Sequence, residues 1–222
     1  MKKIENNLWL VDSVVAHDEL TKLRDKRTPQ VGFRKGIVKL GRICGYELME
    51  ILDKEQIDIE TPFTKFKGIS IQDKERIIII NILRAAFPFV EGLLKAFPHA
   101  KQGVISAKRR EKDGMKGGFF DIDINYVKFP PITDKDVLVV ADPMLATGST
   151  ILSIMKYTIE ENCKPKKLIL LSVVSTRVGI DKIRRAYPDA AIVTVSIDPE
   201  LNDDGYIVPG LGDAGDRAFG SV

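Results

Sequence analysis

Small and hydroxylated residues at positions 146–150 lie between a strand-like and a helix-like stretch, where they could bind a phosphate group. The strand is predicted for the apolar, mostly β-branched residues 137–140. Asp142-Pro143 ends it, because proline cannot donate to a strand ladder. The apolar spacing after Thr150 predicts a helix to about Glu161. Backbone N–H groups converge at such a turn and the helix dipole favours an anion there, so we expect phosphate binding.

Asp142 follows the same strand, at the position where an open α/β sheet binds its ligand. A carboxylate there can accept hydrogen bonds from two hydroxyl groups of a sugar. A Walker A phosphate loop is excluded, because no lysine follows Gly148. A plain helix cap is the alternative, since Thr, Ser and Asp are common cap and turn residues. Spacing alone leaves both interpretations open.

Arg84 ends the most apolar run of the chain, residues 76–84, which predicts a central parallel strand. An arginine at the carboxyl end of such a strand can form a surface salt bridge of little energy. It can also hold diphosphate oxygens with its planar fork, and we favour this second interpretation. Pro88 predicts that a helix begins there and runs through Phe97, because proline suits the first helical position.

Two further segments have the composition of ligand-binding loops. Residues 108–118 are charged and glycine-rich, which predicts a solvent-facing loop between strands at 103–107 and 122–129. Residues 210–215 match the dinucleotide pattern Gly-x-Gly-x-x-Gly, but residues 216–222 are too few for the crossover helix that a dinucleotide fold needs. Such glycines instead let the backbone approach a flat ligand closely. The alternative, a disordered tail, is opposed by the apolar side chains available for burial there: Tyr206, Ile207, Val208 and Phe219.

Composition limits the class of protein. The 222 residues suffice for one domain, and 44% hydrophobic with 29% charged residues is typical of a soluble globular protein. No apolar run reaches the length of a membrane span and no signal sequence is evident, so we expect a cytoplasmic protein without a membrane partner. The balance of 34 basic and 31 acidic residues does not indicate nucleic-acid binding. Two histidines and two isolated cysteines make a protein-ligated zinc site unexpected.

The remaining pattern predicts an α/β fold. Residues 1–30 are expected to form a short helix and a turn, and residues 57–71 a two-stranded excursion. The periodicity of residues 33–52 predicts a helix, one side of which carries the basic stripe Lys35, Lys39 and Arg42. This stripe is either a solvated face or an anion site. A strand at 167–175, a helix at 178–186 and a strand at 190–197 indicate βα units in a mostly parallel sheet.

Three motifs resemble the loops of uracil phosphoribosyltransferases and occur in the same order. Leu83-Arg84-Ala85-Ala86 resembles the family's diphosphate loop, with Ala86 in place of glycine. Asp142-Pro143-Met144-Leu145-Ala146-Thr147-Gly148 resembles its phosphoribosyl diphosphate loop, with Ser149 in place of a second glycine. Residues 206–217 are nearly identical to its uracil-binding loop. The resemblance extends from about His17 to Gly220.

This resemblance implies a fold and a reaction. The fold would be a type I phosphoribosyltransferase core in one domain, residues 1–222: an open, mostly parallel sheet with flanking helices and a flexible β-flap. A small hood would come from about residues 1–30 and 198–222. The enzyme would convert uracil and phosphoribosyl diphosphate to UMP and pyrophosphate in pyrimidine salvage, with Mg²⁺ bound through substrate and water rather than directly. The alternatives are another nucleobase, or an RNA-binding regulator, for which the basic stripe lacks aromatic partners.

The resemblance also assigns residues. Catalytic roles go to Arg84, Arg109 and Asp213, and the surroundings of Arg109 leave Arg110 as its alternative in the flap. Phosphoribosyl diphosphate would be bound by Arg84, Arg109, Asp142, Pro143, Met144, Leu145, Ala146, Thr147, Gly148, Ser149, Thr150 and Asp213. Uracil would be bound by Tyr206, Ile207, Gly212, Asp213 and Ala214. A GTP activator would contact Lys35, Gly36, Ile37, Val38 and Lys39, CTP would inhibit, and the protein would form a homodimer or homotetramer.

Overall fold

A mostly parallel sheet runs through the centre of the computed structural model, which describes residues 1–109, 121–160 and 164–221. Its strand order is β1-β2-β11-β10-β8-β5-β6-β7, and short β9 also pairs with β10. The strands of this sheet are β1 Lys2–Glu5, β2 Leu8–Leu10, β5 Ile77–Leu83, β6 Lys101–Arg109, β7 Ile122–Lys128, β8 Val137–Ala141, β9 Met144–Leu145, β10 Lys167–Thr176 and β11 Ala191–Asp198. Two separate pairs are β3 Lys54–Glu60 with β4 Lys65–Ile71, and β12 Glu200–Leu201 with β13 Ile207–Val208.

The helices lie between these strands in the chain. They are α1 Val14–Arg24, α2 Gln30–Leu48, α3 Ala86–Ala96, α4 Ser149–Met155, α5 Arg177–Ala186 and α6 Ala214–Phe219. A 3₁₀ turn at Met49–Ile51 extends α2, and a π-helical turn at Lys156–Glu160 extends α4. No helix in the described part of the chain is long and apolar enough to cross a membrane.

The register of the central strands brings the predicted ligand-binding ends together. Strands β5 and β8 are parallel, with Asn81 opposite Ala141, and β10 pairs with β8 on its other side. Residues 77–80 are at most 1% exposed, which explains why this run is apolar on both faces. The segments that follow β5 and β8 therefore leave the same edge of the sheet side by side.

Helix α3, which follows Arg84, packs directly against α2. A Cβ atom built on Gly92 would lie 2.0 Å from the carbonyl oxygen of Val38, and one built on Gly41 would lie 2.0 Å from that of Phe89. The two helix backbones therefore touch, and their apolar residues close one side of the core, including Phe33, Leu40, Phe89 and Leu93. Phe89 lies in the first turn of α3, so this contact restrains the start of the helix, two residues after Arg84.

Most predicted elements are present, but two regions differ. The N-terminal residues form the hairpin β1–β2 before α1, and β2 extends the sheet by pairing parallel to β11. The prediction of only a helix and a turn there was wrong. Helix α3 begins at Ala86 rather than at Pro88. Proline is tolerated at this third position because N–H groups of the first turn have no partner within the helix.

Candidate active site

A cavity of about 780 Å³ lies at the carboxyl ends of the central strands. Four parts of the chain line it: the β5–α3 connection, the strands β6 and β7, the segment after β8, and the C-terminal loop. Its polar and charged lining includes Arg84, Lys108, Asn125, Asp142, Thr150, Tyr206, Asp213 and Asp216. The two loops whose main chain was predicted from the sequence to bind a ligand thus border one cavity. We call residues 142–150 the phosphate-side loop and residues 207–217 the base-side loop.

The phosphate-side loop presents some predicted residues to the cavity and buries others. Its lining members are Asp142, Met144, Ala146 and Thr150. The remaining members are buried: Pro143, Leu145, Thr147, Gly148 and Ser149. The hydroxyl groups of Thr147 and Ser149 lie 3.0 Å apart, and the Ser149 amide donates to Thr147 Oγ1 at 3.4 Å. These side chains shape the turn from within.

Thr176, at the end of β10, holds the phosphate-side loop and was missed by the sequence analysis. Its buried hydroxyl donates to the carbonyl oxygen of Ala146 at 2.7 Å and accepts from the amide of Gly179 at 3.0 Å. One side chain therefore caps α5 and fixes the loop. A threonine before a helix-like stretch could have indicated the helix cap. The contact with Ala146, which lies 30 residues earlier in the chain, has no local sequence signal.

Asp142 forms the turn contact that was one of the two interpretations, and its role in binding a sugar stays a prediction. Its Oδ1 accepts from the backbone amide of Met144 at 3.1 Å, as a turn-forming aspartate does. Asp142 also lines the cavity and is only partly buried. A turn-forming carboxylate is therefore presented at the edge of the hollow.

Arg84 forms the salt bridge that was one of the two interpretations, and its binding of diphosphate stays a prediction. Its Nη2 donates to Asp216 Oδ1 of α6 at 2.7 Å, and its side chain is 48% exposed. Arg84 lines the cavity as well, close to Gly215. The ion pair thus joins the β5–α3 connection to the base-side loop. Arg109 is the last residue of β6, but its side chain and residues 110–120 lie outside the described residues, so its choice over Arg110 stays a prediction.

The base-side loop contributes several residues to the cavity lining, among them Asp213. Ile207, Gly212 and Ala214 line it together with Tyr206, whose amide donates to Asn202 Oδ1 at 2.8 Å. Asp213 caps α6, since its Oδ1 accepts from the amide of Asp216 at 2.8 Å. All predicted uracil-binding residues therefore border the same hollow.

Two arginines that the sequence analysis did not single out hold the base-side loop. Arg24 of α1 forms a bidentate pair with Asp198, with both N–O distances 2.7 Å. Arg217 of α6 reaches back to the main chain at the end of α1. Burial works against ionisation of Asp198, but hydrogen bonds from Arg24, Ser196 and the Gly210 amide outweigh it and lower its pKa. Burial lowers the pKa of Arg217.

The proposed effector segment on α2 is only partly accessible. Lys35 is exposed, whereas Ile37 is buried and Gly36 is buried against Leu23 and Glu19 of α1. Lys39 Nζ donates to Glu19 Oε2 at 2.6 Å. Arg42 lies over the ring of Tyr46 at 5.8 Å, so the prediction that this stripe lacks aromatic partners was wrong.

Solved structures of other proteins share the fold of this chain. The structure of AQ2163 from Aquifex aeolicus superposes with a TM-score of 0.83 at 28% identity, covering 96% of this chain and 98% of that one. An adenine phosphoribosyltransferase from Trypanosoma brucei, solved with AMP, pyrophosphate and ribose-5-phosphate, gives a TM-score of 0.56 at 11% identity, covering 87% of this chain and 85% of that one. The second likeness concerns the fold alone. The architecture is that of type I phosphoribosyltransferases.

Sequence comparison is more specific. The profile of the family described as "Uracil phosphoribosyltransferase" matches residues 10–221. A protein of that name from Haloarcula marismortui is 52% identical over 212 residues, which cover 95% of this chain and 94% of the relative. Matches of this extent leave no large segment of the described fold unaccounted for, and this chain belongs to the uracil phosphoribosyltransferase family.

Proposed function

We propose that the protein transfers the 5-phosphoribosyl group of phosphoribosyl diphosphate to N1 of uracil, giving UMP and pyrophosphate. The observation that carries this proposal is the single cavity bordered by both the phosphate-side loop and the base-side loop. A sugar phosphate on the first loop and a pyrimidine on the second would face each other across it. The family membership supports the choice of uracil as the base.

The chemistry is a substitution at the anomeric carbon. The bond from C1′ to the diphosphate oxygen breaks and the bond from C1′ to N1 of uracil forms, through a transition state with oxocarbenium character. The proton of uracil N1 is released to water. The protein would act by positioning and by stabilising charge. In this proposal the main chain of residues 146–150 holds the 5′-phosphate and Asp142 holds the ribose hydroxyls. Arg84, with Arg109 of the flap, stabilises the departing diphosphate.

Base recognition would come from the base-side loop. Ile207, Gly212 and Ala214 line the cavity, and their main-chain groups would have the polarity to match the carbonyl and N–H groups of uracil. Tyr206 borders the same region. A base with a different pattern of donors and acceptors would leave such groups unpaired, which costs affinity. The geometry of this loop would therefore set the preference for the base.

Magnesium is included in the proposal. The described residues contain no group of three or more His, Cys, Asp or Glu side chains able to hold a metal ion by themselves. The cavity is lined by the carboxylates of Asp142, Asp213 and Asp216, which are hard oxygen donors of the kind Mg²⁺ prefers. Mg²⁺ usually keeps several waters and binds substrate phosphates, so this donor set fits. Bound Mg²⁺ would neutralise diphosphate charge, with Asp213 ordering its water shell.

Assembly and regulation form a further part of the proposal. All seven residues of β3 are exposed, and one face of the β3–β4 hairpin carries Ile57, Ile59 and Phe66 at 38%, 43% and 57% exposure. An isolated two-stranded hairpin is marginally stable in water, so this face would pack on a second copy in a homodimer or homotetramer. Sedimentation of the parent and of Phe66→Glu tests this. The parent should be an oligomer that Phe66→Glu weakens, and a monomeric parent would contradict the proposal.

GTP activation and CTP inhibition are assigned to the basic side of α2. Lys35 is exposed there, and Lys39 would have to leave Glu19 to bind a phosphate. UMP formation is measured with and without each nucleotide in the parent and in Lys35→Ala. Activation by GTP that Lys35→Ala abolishes supports the site. An unchanged rate in the parent contradicts the regulation without affecting the catalytic proposal.

The decisive experiment is UMP formation from labelled uracil and phosphoribosyl diphosphate, with pyrophosphate release measured in parallel. Hypoxanthine, adenine and orotate are tested under the same conditions, and chelation of Mg²⁺ should abolish turnover. Uracil should be used in strong preference to the other bases. A preference for another base would contradict the assignment of the base-side loop, and the absence of any pyrophosphate release would contradict the reaction itself.

A further inference from the structure

Arg24 contacts the base-side loop from the last position of α1. Its Nη1 donates to Asp198 Oδ2 at 2.7 Å and to the carbonyl oxygen of Gly210 at 3.0 Å. Its Nη2 donates to Asp198 Oδ1 at 2.7 Å and to Ser196 Oγ at 3.1 Å. A planar guanidinium can make this set of four contacts, and a lysine ammonium cannot reproduce its fork. The side chain thus joins α1, the end of β11 and the loop.

Asp198 completes the contact with Gly210. It is 3% exposed and accepts from the Gly210 amide at 2.9 Å and from Ser196 Oγ at 2.7 Å. Both main-chain groups of Gly210 are therefore bound by the pair, its N–H by Asp198 and its carbonyl by Arg24. Gly210 has φ +53°, and a Cβ built on it would lie 2.1 Å from the carbonyl oxygen of Ile207. This tight turn ties Ile207, which lines the cavity, to the pair.

Arg217 makes the reciprocal connection from the loop to α1. Its Nη1 donates to the carbonyl oxygens of Leu211 at 2.8 Å and Leu23 at 2.6 Å, and its Nη2 donates to that of Asp25 at 2.8 Å. Its guanidinium carbon lies 4.2 Å from the centre of the Phe33 ring. Consecutive carbonyl groups of the loop, those of Gly210 and Leu211, are thus each held by an arginine.

Arg24, Asp198 and Arg217 are not among the residues that line the cavity in the described part of the chain. We propose that Arg24 and Asp198 are positioning residues for base recognition: they fix the main chain of the base-side loop against α1. Arg217 supports the same arrangement from the other side. The inference rests on the proposed function, since it concerns how this loop reads a base. It goes beyond that function by assigning base affinity to a buried pair behind the site.

The expected signature is a change in the affinity for one substrate only. Main-chain donors and acceptors read a base through their geometry, and polar groups left unpaired by a displaced loop can cost up to about 100-fold in affinity. Arg24→Ala should therefore raise the KM for uracil by about 100-fold. The dissociation constant of phosphoribosyl diphosphate, measured by calorimetry without uracil, should stay unchanged. Turnover at saturating uracil should also stay close to that of the parent, because the loss is one of binding.

Arg27→Ala is the matched control. Arg27 lies three residues away and pairs with Asp25 at 2.7 Å, but its side chain is 85% exposed and it does not contact the loop. Its KM for uracil should equal that of the parent. Arg24→Lys should restore part of the affinity for uracil. If Arg24→Ala fails to fold, Asp198→Asn replaces it, since it removes the charge of the partner while keeping the side-chain volume. A parallel loss of both substrate affinities and of melting temperature would show a merely structural role and overturn the inference.

Hydrogen exchange provides a readout that does not depend on activity. Arg24→Ala should speed exchange of the Gly210 amide, whose acceptor is Asp198, and leave the amides of residues 146–150 unchanged. If the parent forms no UMP, the proposed function fails, and exchange alone decides whether the pair fixes the loop. Unchanged exchange at Gly210 would overturn the positioning role.

Discussion

The phosphate-side loop and the base-side loop border the same cavity, but they are fixed in different ways. The first follows β8 directly, between two neighbouring parallel strands, and Thr176 of the adjacent strand β10 fixes Ala146. The second lies outside the central sheet and is held by ion pairs and arginine contacts between distant parts of the chain. The first half of the site is therefore an extension of the core, whereas the second depends on charged side chains. Perturbations of the two should have separable effects.

The largest effect is expected for Arg84→Ala. Removing one donor aimed at developing charge typically costs about 100- to 1,000-fold in turnover. Turnover should fall by this amount while the affinity for uracil changes far less, because Arg84 would act on the diphosphate. Steady-state kinetics with each substrate varied measures both. Arg76→Ala is the control, since Arg76 precedes the same strand at its opposite end; equal activity of Arg84→Ala and the parent would refute the role.

Thr176→Val tests the phosphate-side loop. Loss of the hydroxyl leaves the Ala146 carbonyl oxygen and the Gly179 amide without this partner, at a cost of about 1–3 kcal/mol. We expect phosphoribosyl diphosphate to bind about tenfold more weakly, with the KM for uracil unchanged, the reverse of Arg24→Ala. The control is Thr21→Val, which removes an exposed hydroxyl bonded to His17 on α1. Equal losses for both substrates would contradict independent support of the two loops.

Acid should weaken the Arg24–Asp198 pair that supports the base-side loop. The pKa of Asp198 is lowered from its usual 3.8, so the contribution of the Arg24 pair to stability is complete above that value and is lost as pH falls through the lowered pKa. Asp198→Asn removes the charge but keeps a side-chain acceptor, so it should cost about 1–3 kcal/mol at pH 7. Urea unfolding of both proteins from pH 7 downward measures the difference, which should shrink in acid. A difference that persists undiminished would argue against the pair.

The smallest effect concerns the contact that links the two halves. Asp216→Asn weakens the ion pair with Arg84, and an exposed pair of this kind contributes about 0–1 kcal/mol. Diphosphate would then meet less competition for Arg84, so pyrophosphate should bind up to about fivefold more tightly. Calorimetric titration measures this. Asp203→Asn is the control, since it makes the same charge change at an exposed position away from the cavity lining and should have no effect. Weaker binding of pyrophosphate by Asp216→Asn would contradict the proposed competition between Asp216 and diphosphate for Arg84.

The sequence was informative where neighbouring residues determine position. The apolar runs of β5 and β8 predicted central parallel strands, and parallel pairing brings their carboxyl ends together, so Arg84 and Asp142 could be expected near one edge. The two-stranded excursion at residues 57–71 was likewise evident from its local pattern. Membership of the family followed from motifs that are each continuous in the chain.

What could not be predicted is the support of the base-side loop. Arg24 lies in a mixed, charged segment, and its partner Asp198 is 174 residues away, so no local pattern marks either as special. The same holds for Arg217, whose acceptors on α1 lie 192 and 194 residues away. The β1–β2 hairpin was missed because β2 has only three residues and gains its stability from pairing with β11.

The touching backbones of α2 and α3 have a consequence for engineering. Replacing helical glycines by alanine is a common way to raise thermal stability, because it restricts the unfolded chain. At Gly41 and Gly92 the added methyl group would collide with main-chain oxygen and force the helices apart. Since α3 starts two residues after Arg84, a substitution made to raise stability would displace the end of the cavity that Arg84 lines. Variants designed for stability should therefore keep Gly41 and Gly92 and substitute Gly32 instead, where a methyl group meets nothing closer than 3.4 Å.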